Sequence, residues 1–451
     1  MTVSQDPQIF DIQIDLGVAG ITRQGFGVPM LVASVANLEA GFTERVRSYA
    51  TAADVAADAD LGALTTARLN AMFGVDRAPN LIKVGRREAD VAQVDTVTVT
   101  GDADGDYTIS INAVDFAHTA SGSTVTAIRD ALIVLINAGG EPVTAAPVST
   151  DQISLTADVA GTAFALALAS TGSAMTSVAT TASVSVDSEL DAILAADSDF
   201  FHVVIDTRVA LDITRTASFA TTNKRMFWAQ SADADIVTSV TTDVFSVLKS
   251  QANRWVTPLY YSDAAAYYDA RAAAYFAASN FDTEAPTASQ NVLAGLAADP
   301  SLTSTQLANL VAKGVARYIP FKGVACTSNT LTSAGFDTEL VVTGAWTDAR
   351  MTEAIASLMI RSASAGSRVR FGDLGFRRID GEADGVLKQG ERIGHFNPGT
   401  TEVVGTDRAN VAAADVTTGT YRFAFGGQYS GRVKDFVIRG IINASFAGLS
   451  A

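Results

Sequence analysis

Phe200-Phe201-His202-Val203-Val204-Ile205, Met226-Phe227-Trp228-Ala229 and Trp255-Val256-Thr257-Pro258-Leu259-Tyr260-Tyr261 are three short apolar runs, separated by stretches with helical spacing. The alternation predicts helices over 188–196, 208–220, 240–252 and 263–279, each crossing over between strands of a mostly parallel sheet. The runs do not alternate polar with apolar residues. That pattern suits strands covered by helices on both faces. The fold class is therefore α/β, with a mostly parallel core sheet.

Upstream, the apolar stretch Phe26–Val35 predicts a buried strand after Pro29. Residues 51–73 carry Val55, Leu61, Leu64, Leu69 and Phe73 at helical spacing, and Gly74 can close that helix. Pro79–Arg86 reads as a short strand leaving a turn. Downstream, Thr303-Ser304-Thr305-Gln306 has capping-box spacing at the head of a helix over 303–313, with Gly314 where a C′ glycine belongs. Met351, Ile355, Leu358, Met359 and Ser362 mark one side of a helix over 346–363.

Between 93 and 186 the texture changes to Val, Thr, Ser, Gly and Asp. Short runs at Val97–Thr100, Tyr107–Ile111, Ile153–Thr156, Phe164–Leu168 and Val184–Val186 predict strands. Ile128, Leu132, Leu135 and Ile136 predict one helix over 124–137. This segment holds nine acidic side chains and one basic one, Arg129, so it carries −8, half of the formal charge of −16. A β-rich inserted module is the reading.

Both ends of the chain read as strands. Phe10, Ile12, Ile14 and Leu16 alternate with Asp11, Gln13 and Asp15, and the run 432–446 includes Val433, Phe436, Ile438 and Ile442. Neither has a hairpin partner close in sequence, so each suits addition to a neighbouring sheet. The expected organisation is an N-terminal arm (1–25), a middle α/β domain (26–92 and 187–330), the β-rich insertion (93–186), a C-terminal core domain (331–430) and a C-terminal strand (431–451).

Composition excludes several classes of function. A net charge of −16 opposes general nucleic-acid binding, which needs basic patches. One cysteine, Cys326, forbids an internal disulfide and fits a reducing compartment. The N-terminal residues lack a basic region and an apolar core, so no secretory signal is expected. Apolar runs such as Ala131–Ile136 fall short of the roughly 20 residues that span a bilayer. No membrane insertion is expected.

The candidates for chemistry are weak. Asp102, Asp104 and Asp106 alternate like the start of a calcium loop, but Tyr107 replaces the loop glycine and Ala113 replaces its closing glutamate. An exposed hairpin turn is the simpler reading. Asp380, Glu382 and Asp384 lie among Arg377, Arg378, Lys388 and Arg392, as in a solvated charge network. His118, His202 and His395 are far apart, so zinc is not expected. Walker, dinucleotide and Gly-x-Ser-x-Gly motifs are absent from the sequence. No cofactor, metal or catalytic residue is assigned. The aromatic group Tyr260, Tyr261, Tyr267, Tyr268, Tyr275 and Phe276 reads as core packing. One stretch opposes the overall charge: Arg350 to Arg392, carrying +2, reads either as an ordinary solvated face or as a surface for an acidic partner, with Arg361, Arg368, Arg370, Arg377, Arg378, Lys388 and Arg392 as its candidates.

The order of these features resembles contractile phage tail sheath proteins, in the branch with an inserted β domain. The resemblance is carried by Arg23-Gln24-Gly25-Phe26-Gly27-Val28-Pro29, Arg47-Ser48-Tyr49, Ala71-Met72-Phe73 and Pro79-Asn80-Leu81-Ile82-Lys83-Val84-Gly85-Arg86-Arg87. Gly105–Asn112 and Thr156–Phe164 resemble β modules inserted in tail proteins. Leu293-Ala294-Gly295-Leu296 before the 303–313 helix, Trp346 heading a helix, and the closing strand continue it.

That resemblance implies a structural subunit rather than an enzyme. It implies stacked rings of six around a tail tube, linked by strands exchanged between neighbours, contracting to drive the tube through a bacterial envelope. The implied partners are further copies of the chain, the tube protein, and baseplate and terminator proteins. The implied place is a virion tail assembled in the host cytoplasm. Another tail component (tube or baseplate) and a calcium-binding adhesin are the alternatives, with a cytoplasmic enzyme behind them.

Overall fold

The computed structural model describes residues 24–299 and 302–431. The chain enters the main sheet at β1 (Pro29–Ser34) and makes the edge strand β2 (Val46–Tyr49). It passes through α1 (Ala52–Ala57) and α2 (Ala63–Phe73) and returns as β3 (Ile82–Arg87). The single helix expected over 51–73 is therefore two. Thr51 and Asp54 form a capping box at the start of α1. The chain leaves α1 at Asp58, whose carboxylate accepts from the Tyr49 hydroxyl at 2.6 Å and from Arg47 at 2.7 Å. Gly62 then opens α2.

The insertion follows as β4 (Val94–Val99), β5 (Gly105–Ile111), β6 (Val114–Ala120), α3 (Val125–Ala138), β7 (Val143–Pro147), β8 (Gln152–Ala157), β9 (Leu166–Ser170) and β10 (Met175–Thr181). Two antiparallel sheets result, β10-β4-β8-β7 and β6-β5-β9. Val97, Ile109, Leu132, Ile153 and Leu155 belong to a core of the module's own. Burying each such side chain stabilises by about 1.5–3 kcal/mol. On α3, Ile128, Leu132 and Ile136 are buried, but Leu135, expected beside them, is 39% exposed. Asp102–Asp106 does not form a hairpin turn, because β4 and β5 lie in different sheets and the segment crosses between them. Nor is Val184–Val186 a strand: Val184 forms an isolated bridge to Val91, and Val186 starts the next helix.

The main sheet is completed by α4 (Val186–Ala196), β11 (His202–Ile205), α5 (Ala210–Thr222), β12 (Met226–Ser231), α6 (Val244–Ser250), β13 (Val256–Tyr260), α7 (Tyr268–Ala277), α8 (Ser304–Lys313), β14 (Ala316–Phe321) and β15 (Val324–Ser328). The order is β15-β14-β13-β12-β11-β1-β3-β2. Strands β14 through β3 are parallel, while β15 and β2 close the two edges antiparallel. β11, β12 and β13 are buried along their whole lengths, as their apolar sequences require. Most of the tyrosine and phenylalanine cluster packs here, with Tyr268 and Phe276 fully buried. Tyr267 breaks the helix expected over 263–279 by adopting a left-handed φ of 50°, between a short 3₁₀ turn at Ala264–Ala266 and α7. The capping box at Thr303–Gln306 and the left-handed Gly314 are present as read.

The described chain divides into two units, one of Gln24–Asn280 with Ala288–Thr338, the other of Phe281–Thr287 with residues 339–431. The second holds α9 (Thr338–Ser364), α10 (Asp373–Ile393), β16 (Glu402–Val404), α11 (Ala413–Thr418) and β17 (Ala424–Gly426). α9 begins at Thr338, so Trp346 lies inside the helix instead of heading it. α10 has no counterpart in the sequence reading. Among the described residues, no helix is long and apolar enough to cross a membrane.

Candidate assembly surfaces

The basic stretch is built by two helices. Leu358, Arg361 and Ser362 from the end of α9 face Arg377, Arg378, Gly381 and Glu382 from the first half of α10, with Ala365 and Ser367 of the connecting loop. Together they enclose an open groove of about 580 Å³. Ile355, Leu358 and Ile379 fix the two helices with their apolar faces, and Tyr421 and Phe423 pack against them. The Tyr421 ring lies parallel to Phe376, with centroids 3.9 Å apart.

Three arginines meet in this groove. Arg361 pairs with Glu382 at 2.7 Å, and Arg378 donates to the Ser362 hydroxyl at 2.9 Å. Arg377 is exposed. Arg368 and Arg370 are exposed on the loop before α10. Lys388 and Arg392 lie further along α10, outside the groove lining. Lys388 is engaged there, donating to Glu391 at 3.1 Å and to the Thr401 hydroxyl at 3.0 Å. The Thr401 hydroxyl, its N–H and Lys388 hold the Glu391 carboxyl down to about 2. The structure thus brings together Arg361, Arg377 and Arg378 and separates Lys388 from them. Sequence reading missed Ser362 and Ser367 as groove residues because α10 itself was not read.

Several acidic residues nearby are occupied locally, Glu382 by Arg361 and Glu391 by Lys388 and Thr401. Asp380 accepts from the Tyr421 hydroxyl at 2.9 Å, and burial raises its pKa. In the insertion, Asp104 accepts from the Gly122 N–H and Asp106 from the Thr119 hydroxyl, each at 2.6 Å. Those bonds shape the sheet-to-sheet crossing.

A second surface is the ribbon β16–β17, paired from Glu402↔Gly426 to Val404↔Ala424. No third strand joins it among the described residues. An isolated bridge, Phe396↔Tyr429, continues it, and described residues end at 431. The linking strands read from sequence, Phe10, Ile12, Ile14 and Leu16 with Val433, Phe436, Ile438 and Ile442, lie outside the described residues.

In open α/β sheets, ligands bind beyond the carboxyl ends of the strands at the point where strand order reverses. Here that point lies between β1 and β11. Asp206, just after β11, accepts from the Ser34 N–H at 2.7 Å and from the Asn37 amide at 2.5 Å. Arg68 donates to the Ile205 and Asp206 carbonyls, and Arg208 grips Asp269 at 2.8 and 2.9 Å. The chain fills this region with its own side chains. His202, within β11, accepts from the Trp228 indole at 3.2 Å and bonds the Phe26 carbonyl at 3.0 Å, which makes it a core residue.

A chain in the cryo-EM structure of the anti-feeding prophage baseplate matches 98% of this chain over 100% of its own length, with a TM-score of 0.52 and 10% identity. The two chains share a fold. At 10% identity the likeness is one of architecture alone. The contracted helical sheath of the same prophage covers 98% of the chain and 99% of itself at a TM-score of 0.49 and 12% identity. The sheath tail protein of Desulfitobacterium hafniense covers 86% and 93% at 0.44 and 13%. No protein-family profile matches the sequence, and no curated protein matches it.

Proposed function

We propose that the chain is a structural subunit of a contractile tail sheath, polymerising as stacked rings around a tube. The observation that carries this reading is the fold shared, over 98% of this chain and 100% of the other, with a component of the prophage baseplate structure. The order of sequence motifs supports it independently. In this reading the terminal strands, Phe10–Leu16 and the run containing Val433, Phe436, Ile438 and Ile442, pair with sheets of neighbouring copies. The ribbon β16–β17 is a candidate acceptor for them, since a strand added to a sheet edge gains backbone hydrogen bonds along its length.

The groove of Arg361, Arg377 and Arg378 then faces the tube or the adjacent ring, where bidentate guanidinium–carboxylate pairs would set register. The acidic insertion would lie outside the array, where like charge limits sticking between tails. Contraction would draw on energy stored in assembly, with no nucleotide and no catalytic group. The partners would be copies of the chain, the tube, and baseplate and terminator proteins. A second reading, a baseplate component, is favoured by the origin of the matching chain.

Sedimentation velocity at rising protein concentration tests the proposal. A sheath subunit gives species that keep growing. A single closed oligomer of fixed small size contradicts it.

A further inference from the structure

The insertion leaves the core and returns to it through two chain passages that touch. Val91 donates to the Val184 carbonyl at 2.9 Å, and Val184 donates back at 3.1 Å. Two adjacent passages of this kind form a hinge, about which a module with its own core could rotate. A third attachment lies beside them. The loop between β8 and β9 folds back so that Gly161 donates to the Val91 carbonyl at 3.0 Å, and the Thr162 hydroxyl accepts from Arg215 at 3.1 Å. Arg215 belongs to α5 of the core.

Arg215 is held in a mixed-charge cluster under the hinge. It lies 3.8 Å from Asp90, and Arg87, at the end of β3, lies 3.4 Å from Asp90 and 3.5 Å from Asp212. Arg87 also approaches Asp206, at 3.7 Å. Three carboxylates, Asp90, Asp206 and Asp212, thus share two guanidiniums, all of them largely or wholly buried. Burial and the neighbouring Asp212 raise the pKa of Asp90, consistent with an excess of carboxylates. A side chain at Gly161 would displace the guanidinium. Gly161 has φ of +77°, and a Cβ there would run into the Arg215 guanidinium.

We infer that Arg215 clamps the insertion at a fixed angle to the core, tying the 159–164 loop to the Asp90–Arg87–Asp212 cluster and so locking a hinge that the two chain passages alone leave free. Arg215 is a positioning residue. Its removal breaks the link to Thr162 and leaves Asp90 and Asp212 with Arg87 as their one shared cation. The core sheet and the insertion core, which do not include it, remain intact.

The test is small-angle scattering of the full chain, at a concentration where sedimentation shows the same low-mass species for every variant, combined with hydrogen exchange at residues 159–164 and 182–186. Three variants are compared with the parent: Arg215→Ala, Thr162→Val and Gly161→Ala. The expected result is a longer maximum dimension and at least tenfold faster exchange in those segments for Arg215→Ala, with a smaller change for Thr162→Val. Gly161→Ala should behave like Arg215→Ala. Thr162→Val leaves the buried charges untouched, so it decides the matter if Arg215→Ala disturbs folding. Scattering and exchange unchanged from the parent in both Thr162→Val and Gly161→Ala would overturn the clamp.

Discussion

Arg350 grips Asp282 with two hydrogen bonds, from Nε at 2.7 Å and from Nη2 at 2.9 Å. The Trp346 indole donates to the same carboxylate at 2.8 Å, and Arg350 also donates to Glu353 at 2.9 Å. Asp282 lies in the short segment Phe281–Thr287, which the chain threads into its C-terminal unit before returning to the main sheet. His395 seals the same segment, bonding the Phe281 carbonyl at 2.9 Å and stacking on the Phe281 ring. One helix, α9, thereby holds a piece of chain remote in sequence through a bidentate pair.

Arg350→Ala should therefore destabilise the C-terminal unit by about 2–4 kcal/mol. The lower end reflects the partial exposure of Asp282, which keeps some solvation when its partner is lost. Hydrogen exchange should accelerate in α9 and α10 and stay unchanged in β11, β12 and β13. Unchanged exchange in α9 would show that the pair carries no local stability.

His202 makes stability depend on pH. Burial pushes its imidazole down to about 3, while an unfolded chain titrates it near its ordinary value of 6.5. Between those values the unfolded state binds the extra proton, so stability is full above about 6.5 and falls as pH drops toward 3. His202→Asn should lower stability at pH 7 and flatten the decline between pH 6.5 and pH 4. Urea midpoints for both chains at pH 7, 5.5 and 4 check this. Parallel declines would place the acid sensitivity elsewhere.

Glycines hid α10 from the sequence. Gly375, Gly381, Gly385 and Gly390 lie within Asp373–Ile393, and the sequence of Asp380–Gly385 reads as a solvated charge network with no helical stripe. The structure gives them different jobs. A Cβ at Gly375 would collide with the Arg370 carbonyl, whereas Gly385 faces open space. Gly385→Ala should thus stabilise by about 0.5–1 kcal/mol through helix propensity. Gly375→Ala should destabilise and shift the loop bearing Arg368 and Arg370. Thermal melts of the two variants should move in opposite directions.

Much of the core was legible because strands buried on both faces leave an unbroken apolar signature. Phe200–Ile205 and Trp255–Tyr261 announce themselves in that way. The edges of the insertion were not. β10 is mostly exposed and rich in Thr, Ser and Ala, so no apolar face marks it as a strand. The arginines of the groove were legible as a cluster, but their division was not. That Arg361, Arg377 and Arg378 meet while Lys388 turns to Glu391 and Thr401 depends on α10, which the glycines concealed.

Charge reversal at the groove tests its role in assembly. Arg377→Glu together with Arg378→Glu should abolish growth of ordered assemblies on tubes. Arg392→Glu, outside the groove lining, should have a much smaller effect. Folding of each variant is checked by circular dichroism. Equal loss from both would mean that bulk charge, not the groove, governs assembly.

Strand exchange between copies is tested by negative-stain electron microscopy of the full chain beside a form lacking residues 1–20. The full chain should form tubes or stacked rings, lost on truncation while the remaining protein stays folded. Compact particles of one small size in both preparations would contradict it.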